Sequence, residues 1–255
     1  MSQTPSAVEV LQARLRRSKI LNIVLTVISL FLVVVVIAQL TTGSGTATAA
    51  DPTSDTATEE TADSATTEAA DLEFTRDDPD DPMAMGDIDA PITIVEWADY
   101  RCPYCALFTR ETFPTIKEEY IDTGLVRYEF HDVAYFGDQS LDAAIAGRAA
   151  AAQGKFWEYL TLVFENAPES GHADLPRETL IEYAEEVGVP DIEAFTAALD
   201  DPELEEAVNA SQTQAQSLGI SSVPFFAVDQ YGLSGAQSID TFRTAIDQAL
   251  VEAES

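Results

Sequence analysis

The chain has 255 residues, 46 % of them hydrophobic, and its 45 Asp and Glu against 13 Lys and Arg give a net charge of −32. This length allows a substantial core without a disulfide scaffold, which two cysteines could not form in any case. Since nucleic-acid binding depends on Lys and Arg that neutralise phosphates, the composition argues against nucleic acid as a partner.

The first predicted element is a transmembrane helix at residues 20–40. This stretch carries no charge, and its 21 residues would span about 31 Å as a helix, which matches the hydrocarbon core of a bilayer. A basic cluster within residues 14–19 precedes it and acidic sequence follows. We therefore expect a cytoplasmic N-terminus at 1–19 and a single-pass cell-membrane protein whose remaining chain is extracytoplasmic.

A cleaved signal peptide is the alternative for this segment, because Ala47-Thr48-Ala49 fits a small-residue cleavage site. The apolar cores of signal peptides usually have about 7 to 15 residues, and this one is longer, so the pattern favours an anchor.

Residues 41–82 are rich in Thr, Ala, Asp, Glu and Ser and end in the sequence DDPDDP. Such a composition cannot bury enough apolar surface to offset the entropy of ordering. It predicts a disordered acidic linker that precedes a folded domain at 83–255.

The chemical motif of the domain is a CxxC that follows a predicted strand at residues 91–97. Cys102 is expected at the N-cap of a helix and Pro103 at its first position, where the fixed φ of proline favours helix initiation. The unpaired N–H groups and the dipole of that helix end would favour a Cys102 thiolate, with help from the adjacent Arg101. Cys105, one turn further on, could close a disulfide with Cys102, so the motif indicates dithiol redox chemistry.

At these residues the sequence resembles the DsbA-like family of the thioredoxin superfamily. The resemblance covers about residues 83–253 and depends on the run ITIVEWADYRCPYC and on residues 219–226, GISSVPFF. It implies an α/β thioredoxin-like fold with a helical insertion at about 139–218, where the sequence between the predicted strands reads as helices. It also implies a cis peptide bond at Val223-Pro224, opposite the CxxC, against which an extended client would bind by strand addition.

The helices of the insertion are expected at 139–153, after Pro176, around Phe195 and after Pro202. After a strand at Phe225–Val228, a turn at Tyr231-Gly232 and a strand at 233–236 are expected, followed by a last helix capped by Ser238.

Two further positions follow from the resemblance. Glu96 occupies the place of a buried acid in this family, which suggests a raised pKa and proton transfer beside Cys105; a strand-end Glu that reaches solvent is the alternative. The dipeptide Pro103-Tyr104 is the one found in glutaredoxins, whereas several DsbA-type oxidases have a histidine there. The direction of electron flow therefore stays open.

The sequence as a whole predicts an exported thiol-disulfide oxidoreductase that oxidises cysteine pairs in exported client proteins through its Cys102-Cys105 disulfide. No cofactor or metal is expected, since zinc needs four ligands and only His131 and His172 could join the cysteines. The resemblance implies a quinone-linked membrane partner that reoxidises the protein. The alternatives are a reductase or isomerase on the same fold, and a non-catalytic tethered binding module with a structural disulfide.

Overall fold

The computed structural model describes residues 74–76 and 78–254, all of which belong to one compact unit, Thr66–Ser255. The predicted cytoplasmic segment 1–19, the transmembrane helix 20–40 and most of the linker 41–82 lie outside the described residues. Among the residues that are described, no helix combines the length and apolar character needed to cross a membrane.

A five-stranded mixed sheet forms the centre of the domain. Its strands are β1 (Ala84–Met85), β2 (Ile92–Ala98), β3 (Val126–Asp132), β4 (Phe225–Val228) and β5 (Tyr231–Ser234). Their spatial order is β1-β3-β2-β4-β5, with β2 and β3 parallel and the other neighbouring pairs antiparallel. The β-branched run ITIVEWA makes β2 the central strand because both of its faces are buried.

The helices follow the chain in two groups. Those before the insertion are α1 (Pro103–Glu111), α2 (Phe113–Ile116) and a π-helical turn (Lys117–Ile121). Between β3 and β4 lie α3 (Asp138–Ala151), α4 (Phe156–Glu165), α5 (Arg177–Glu186), α6 (Ile192–Ala198) and α7 (Pro202–Ser217), and α8 (Ile239–Ala253) ends the domain. The expected thioredoxin-like sheet with a helical insertion is confirmed, and α4 is an insertion helix that the sequence pattern did not identify.

The last hairpin differs from the expected one. Its turn lies at Asp229-Gln230, where Asp229 has a φ of 50°, and β5 already begins at Tyr231. A β-carbon on Gly232 would lie 3.1 Å from the ring of Phe225 on the neighbouring strand. The absence of a side chain at Gly232 therefore leaves room for the ring of Phe225. The residue of the turn with left-handed backbone is Asp229, and aspartate tolerates this conformation.

The two faces of the sheet pack against different helices. On one face Ile94 and Phe226 share a buried cluster with Phe108 of α1 and Phe242 of α8. On the other face Val95 and Trp97 belong to a cluster with Ala215 of α7 and Ile220. Because the side chains of β2 alternate between the faces, Glu96 lies on the same face as Ile94.

The segment before β1 is bound to β3. The backbone N–H of Arg76 donates to Glu129 Oε2 at 2.9 Å, and the Arg76 guanidinium donates to the carbonyl oxygen of Phe130. Arg127, almost fully buried, donates to the carbonyl oxygen of Asp78 at 2.8 Å. The ring of Phe74 packs edge-on against Trp97.

The insertion is joined to the CxxC region by a close contact between Gly147 of α3 and Tyr100. A β-carbon on Gly147 would lie 1.9 Å from the Tyr100 hydroxyl oxygen. The Tyr100 ring is fully buried and stacks on Phe164 of α4. A glycine is therefore required here for the insertion to pack against the redox loop.

Candidate active site

The CxxC begins α1 as the sequence predicts. Cys102 is the N-cap with an extended backbone, and Pro103 occupies the first turn. The Cys102 N–H donates to the carbonyl oxygen of Asp99, which closes the loop between β2 and the helix. Both cysteines are free thiols and buried, with 2 % of Cys102 and none of Cys105 exposed.

The two sulfurs differ in acidity. A hydrogen bond from the Cys105 thiol, together with the backbone N–H groups of Cys105 and Tyr104, lowers the pKa of Cys102 from 9.0 to about 7, against the opposing effect of burial. Burial raises the pKa of Cys105 well above its usual value, and its hydrogen bond to Cys102 raises it further. In the reduced protein the negative charge is therefore carried by Cys102, while Cys105 keeps its proton.

Arg101, which was expected to help stabilise the thiolate, binds backbone carbonyl oxygens. Its guanidinium donates to the carbonyl oxygens of Ala173 at 2.7 Å and Phe136 at 2.6 Å. Arg101 thus binds the loops around the CxxC together, and the helix end supplies the N–H groups that favour the thiolate.

Glu96 lies beneath the cysteines and is buried, so the alternative of a Glu that reaches solvent is wrong. It is 1 % exposed, and burial raises its pKa from 4.5 to about 8. The hydroxyl of Tyr128 on β3 donates to Glu96 Oε2 at 2.5 Å and opposes that rise. Within the described part of the chain, Glu96 Oε1 has no hydrogen-bond partner.

The Val223-Pro224 bond is cis, as expected, and it lies beside Cys102. When Cys102 is protonated, its thiol donates to the carbonyl oxygen of Val223, with a sulfur to oxygen distance of 3.5 Å. Pro224 is buried immediately before β4, which pairs with β2 at Glu96 and Trp97. The five predicted residues Glu96, Cys102, Cys105, Val223 and Pro224 are therefore brought to one end of the central strands.

Asp99 organises this end of the sheet, and it was not among the predicted site residues. Its Oδ1 accepts from the Arg101 N–H and the Ser140 hydroxyl, both at 2.8 Å. Its Oδ2 accepts from the N–H of Tyr135 at 2.7 Å and from that of Phe136 at 3.3 Å. Four donors occupy the carboxylate, so it joins the CxxC loop to the start of α3 and to the loop after β3. An acid three residues before the first cysteine, directly after the predicted strand, was the available signal.

The two histidines have different surroundings: His131 contacts a carboxylate of β3, whereas His172 lies next to the CxxC loop, with its Nδ1 3.4 Å from the carbonyl oxygen of Arg101. His131 Nε2 lies 3.3 Å from Glu129 Oε2, and the ring of His172 stacks on Phe136. Across residues 74–76 and 78–254, no group of three His, Cys, Asp or Glu side chains could hold a metal ion.

A free CxxC at a helix N-terminus, a buried acid below it and a cis-proline loop facing it define a thiol-disulfide oxidoreductase of the thioredoxin fold. The family model described as Thioredoxin matches residues 78–248, and the chain belongs to that family.

Its relatives include disulfide bond formation proteins. The probable disulfide bond formation protein D of Bacillus cereus is 29 % identical over 170 residues, which are 66 % of this chain and 78 % of that protein. The disulfide bond formation protein D of Bacillus subtilis is 27 % identical over 65 % of this chain and 76 % of its own length.

Solved structures give the same result. Oxidised BdbD from Bacillus subtilis matches with a TM-score of 0.62 and 26 % identity, covering 66 % of this chain and 92 % of that one. Alpha-DsbA1 from Wolbachia pipientis matches with a TM-score of 0.59 and 27 % identity, covering 67 % of this chain and 92 % of that one. The expected DsbA-like resemblance is confirmed.

Proposed function

We propose that the protein oxidises cysteine pairs in exported proteins through a Cys102-Cys105 disulfide. The observation that carries the proposal is the contrast between the sulfurs: the pKa of Cys102 is lowered to about 7 and that of Cys105 is raised. A stabilised thiolate is a good leaving group and stabilises the reduced protein, both of which favour transfer of the disulfide to a client.

The exchange takes two steps. A client thiolate attacks Cys102 Sγ of the disulfide, so a mixed disulfide forms and Cys105 leaves as a thiolate. A second client thiolate then attacks the client sulfur of the mixed disulfide and releases Cys102 as a thiolate. The client loses two electrons and two protons, and the protein gains the electrons as a dithiol.

Glu96 supports the first step as a proton donor. Cys105 leaves in a buried place that disfavours its thiolate. Glu96 interacts electrostatically with both cysteines, and its pKa is raised to about 8. Near neutral pH Glu96 can therefore hold a proton and pass it to Cys105, and it can take one back when the disulfide is regenerated.

The cis-proline loop supplies the docking edge. Val223 has its carbonyl oxygen beside Cys102, so an extended client that reaches Cys102 can run along Val223-Pro224 and pair with the backbone of Val223.

The size of the same pKa shift favours a second candidate function, reduction or isomerisation. The pKa of Cys102 is about 7, which resembles thioredoxin, whereas the strong oxidant DsbA has a value of about 3.5. The equilibrium potential of the full-length protein in detergent, measured against glutathione, separates these directions. A value near −120 mV supports donation of disulfides, and a value near −270 mV supports reduction.

We also propose that residues 20–40 anchor the protein in the cell membrane with the redox domain outside. The supporting observations are the uncharged apolar run and the basic cluster before it. A quinone-linked membrane protein is the proposed source of oxidising equivalents. Protease protection in intact cells tests the orientation: residues 83–255 should be digested from outside, and their protection would contradict it.

A further inference from the structure

The hydrogen bond from Tyr128 determines which oxygen of Glu96 carries the proton. The Tyr128 hydroxyl donates to Glu96 Oε2 at 2.5 Å, so Oε2 is an acceptor. Burial and the neighbouring Glu96 raise the pKa of Tyr128 well above its usual value, so Tyr128 keeps its proton and remains the donor. Oε1 is buried and has no hydrogen-bond partner among the described residues. The neutral acid therefore carries its proton on Oε1.

Two aromatic residues from different parts of the chain cover the ring of Tyr128. Phe113 of α2 has its ring centroid 4.8 Å from that of Tyr128, and Trp157 of α4 has its centroid 6.1 Å away. The rings of Phe113 and Trp157 stack on each other with 12° between their planes. Tyr128 itself is fully buried. The two rings therefore pack over Tyr128 on one side of the domain.

Trp157 is the residue of this cover that reaches solvent. It is partly exposed and lines a groove of about 440 Å³ between α4 and the end of α5. Leu162 lines the same groove further along α4. One side chain of the helical insertion thus separates this groove from Tyr128 and, through Tyr128, from Glu96.

We propose that Tyr128 and Trp157 are positioning residues for proton transfer by Glu96: Tyr128 fixes the transferable proton on Oε1, and Trp157 keeps solvent in the groove away from the pair. The inference rests on the proposed oxidation of client cysteine pairs. It adds two residues to that reaction, one of which belongs to the insertion.

The two residues act on the proton transfer in opposite directions. When a client thiolate displaces Cys105 from the disulfide, the S–S bond breaks and Cys105 Sγ takes its electron pair. The O–H bond at Glu96 Oε1 then breaks and an S–H bond forms on Cys105, which leaves the charge on the carboxylate. The hydrogen bond from Tyr128 favours that charged carboxylate, whereas exclusion of solvent by Trp157 favours the neutral acid.

The first test measures the acidity of Glu96 by infrared titration of the reduced full-length protein in detergent, using the carboxyl band that Glu96→Gln removes. Tyr128→Phe keeps the ring but removes the hydrogen bond, so the pKa of Glu96 should rise from about 8 by about one unit. Trp157→Ala opens the groove to Tyr128, so this pKa should fall by about one unit. An unchanged pKa in either variant would overturn the proposal.

Leu162→Ala is the matched control for Trp157→Ala, because it also shortens an apolar side chain of α4 in the same groove. It should leave the pKa of Glu96 as in the unmodified protein. An equal fall in both variants would mean that any loosening of α4 has this effect and would contradict the role of Trp157. If Trp157→Ala does not fold, Trp157→Leu makes the milder change, and the pKa should fall there too; an unchanged value would again overturn the proposal.

The second test is kinetic and uses the oxidised proteins with dithiothreitol between pH 7 and pH 9. The ratio of variant to unmodified kcat/KM cancels the ionisation of dithiothreitol, which is the same for every protein. Across this range the ratio should rise about fivefold for Tyr128→Phe and fall about fivefold for Trp157→Ala, as pKa shifts of about one unit require. Ratios that do not change with pH would assign both residues a merely structural role.

The same substitutions in Glu96→Gln complete the kinetic test. Neither should make the ratio to Glu96→Gln depend on pH, because the group on which they act is gone; a dependence that persisted would contradict the proposal. Failure of the proposed function has a different signature. A reducing potential in the thioredoxin range would contradict the proposed direction of exchange and leave the infrared shifts of Glu96 intact.

Discussion

The hydroxyl of Tyr128 donates a 2.5 Å hydrogen bond to the carboxylate of Glu96, with both side chains buried beneath the redox cysteines. Tyr128 and Glu96 lie on the parallel strands β3 and β2, on the same face of the sheet. Burial sets the raised pKa of Glu96, and this hydrogen bond limits the rise.

The buried Glu96 makes stability depend on pH. Its folded pKa of about 8 exceeds the usual 4.5, so its stabilising effect is fully present below pH 4.5 and is lost as the pH rises through 8. Glu96→Gln should therefore match the unmodified protein in free energy of unfolding at pH 4 and exceed it at pH 8 by on the order of a few kcal/mol. Urea unfolding of the reduced proteins at both pH values measures the difference. If the difference in free energy of unfolding between Glu96→Gln and the unmodified protein did not grow from pH 4 to pH 8, the raised pKa of Glu96 would be contradicted.

Cys105 should control the acidity of Cys102. Cys105→Ala removes the thiol that donates to Cys102, while the backbone N–H groups of the helix end remain. The pKa of Cys102 should then rise from about 7 by about one unit. Cys105→Ser keeps a donor and serves as the matched control. The pH dependence of Cys102 alkylation gives both values, and an unchanged midpoint in Cys105→Ala would mean that the helix end alone stabilises the thiolate.

Asp99 should affect both stability and redox potential. Asp99→Asn replaces an acceptor with an amide that cannot satisfy all four donors, so the free energy of unfolding should fall by about 2 kcal/mol. The negative charge of Asp99 raises the pKa of Cys102, so its removal should lower that pKa and make the potential more oxidising.

Ser140→Ala is the control for this effect, because it removes one of the four hydrogen bonds and keeps the charge. It should reduce stability without making Cys102 more acidic. If both variants shift the Cys102 pKa alike, the charge of Asp99 is not the cause.

Gly147 should not tolerate a side chain. Glycine to alanine in a helix is normally stabilising by about 1 kcal/mol, but at Gly147 the new methyl group would collide with the Tyr100 hydroxyl. Gly147→Ala should therefore destabilise the domain by about 1–3 kcal/mol. Tyr100→Phe in the same chain should restore part of the loss, since it removes the closest atom. Thermal or urea unfolding of the unmodified protein and the two variants checks this, and a stabilising Gly147→Ala would disprove the contact.

The sequence was sufficient for features that depend on local pattern. The β-branched run of β2, the proline after Cys102 and the Val-Pro before an apolar strand each act within a few residues, so their elements were predicted close to the observed bounds. The burial of Glu96 was also predictable, because it lies in the middle of that apolar run.

Features that join distant segments could not be found in this way. The hydroxyl of Tyr135 meets a carbonyl oxygen 85 residues further along the chain, and its N–H meets Asp99 36 residues before it. Gly232 was taken for a turn because the contact with the ring of Phe225, two residues from its register partner Ala227, is known only once the register is fixed. Such contacts depend on tertiary packing, which a single sequence does not show.

The attachment of the segment before β1 has a mechanical consequence. Tension applied to the chain from its N-terminal side would load the ring contact of Phe74 with Trp97 and then the hydrogen bonds from Arg76 to Glu129 and from Arg127 to the carbonyl oxygen of Asp78. The hydrogen bonds lie on β3, which pairs with the edge strand β1, whereas β2 and β4 lead to the cysteines and the cis-proline loop. Under a pulling force the hydrogen bonds at this side of the sheet can therefore break first, while β2 and β4 stay paired in the same register.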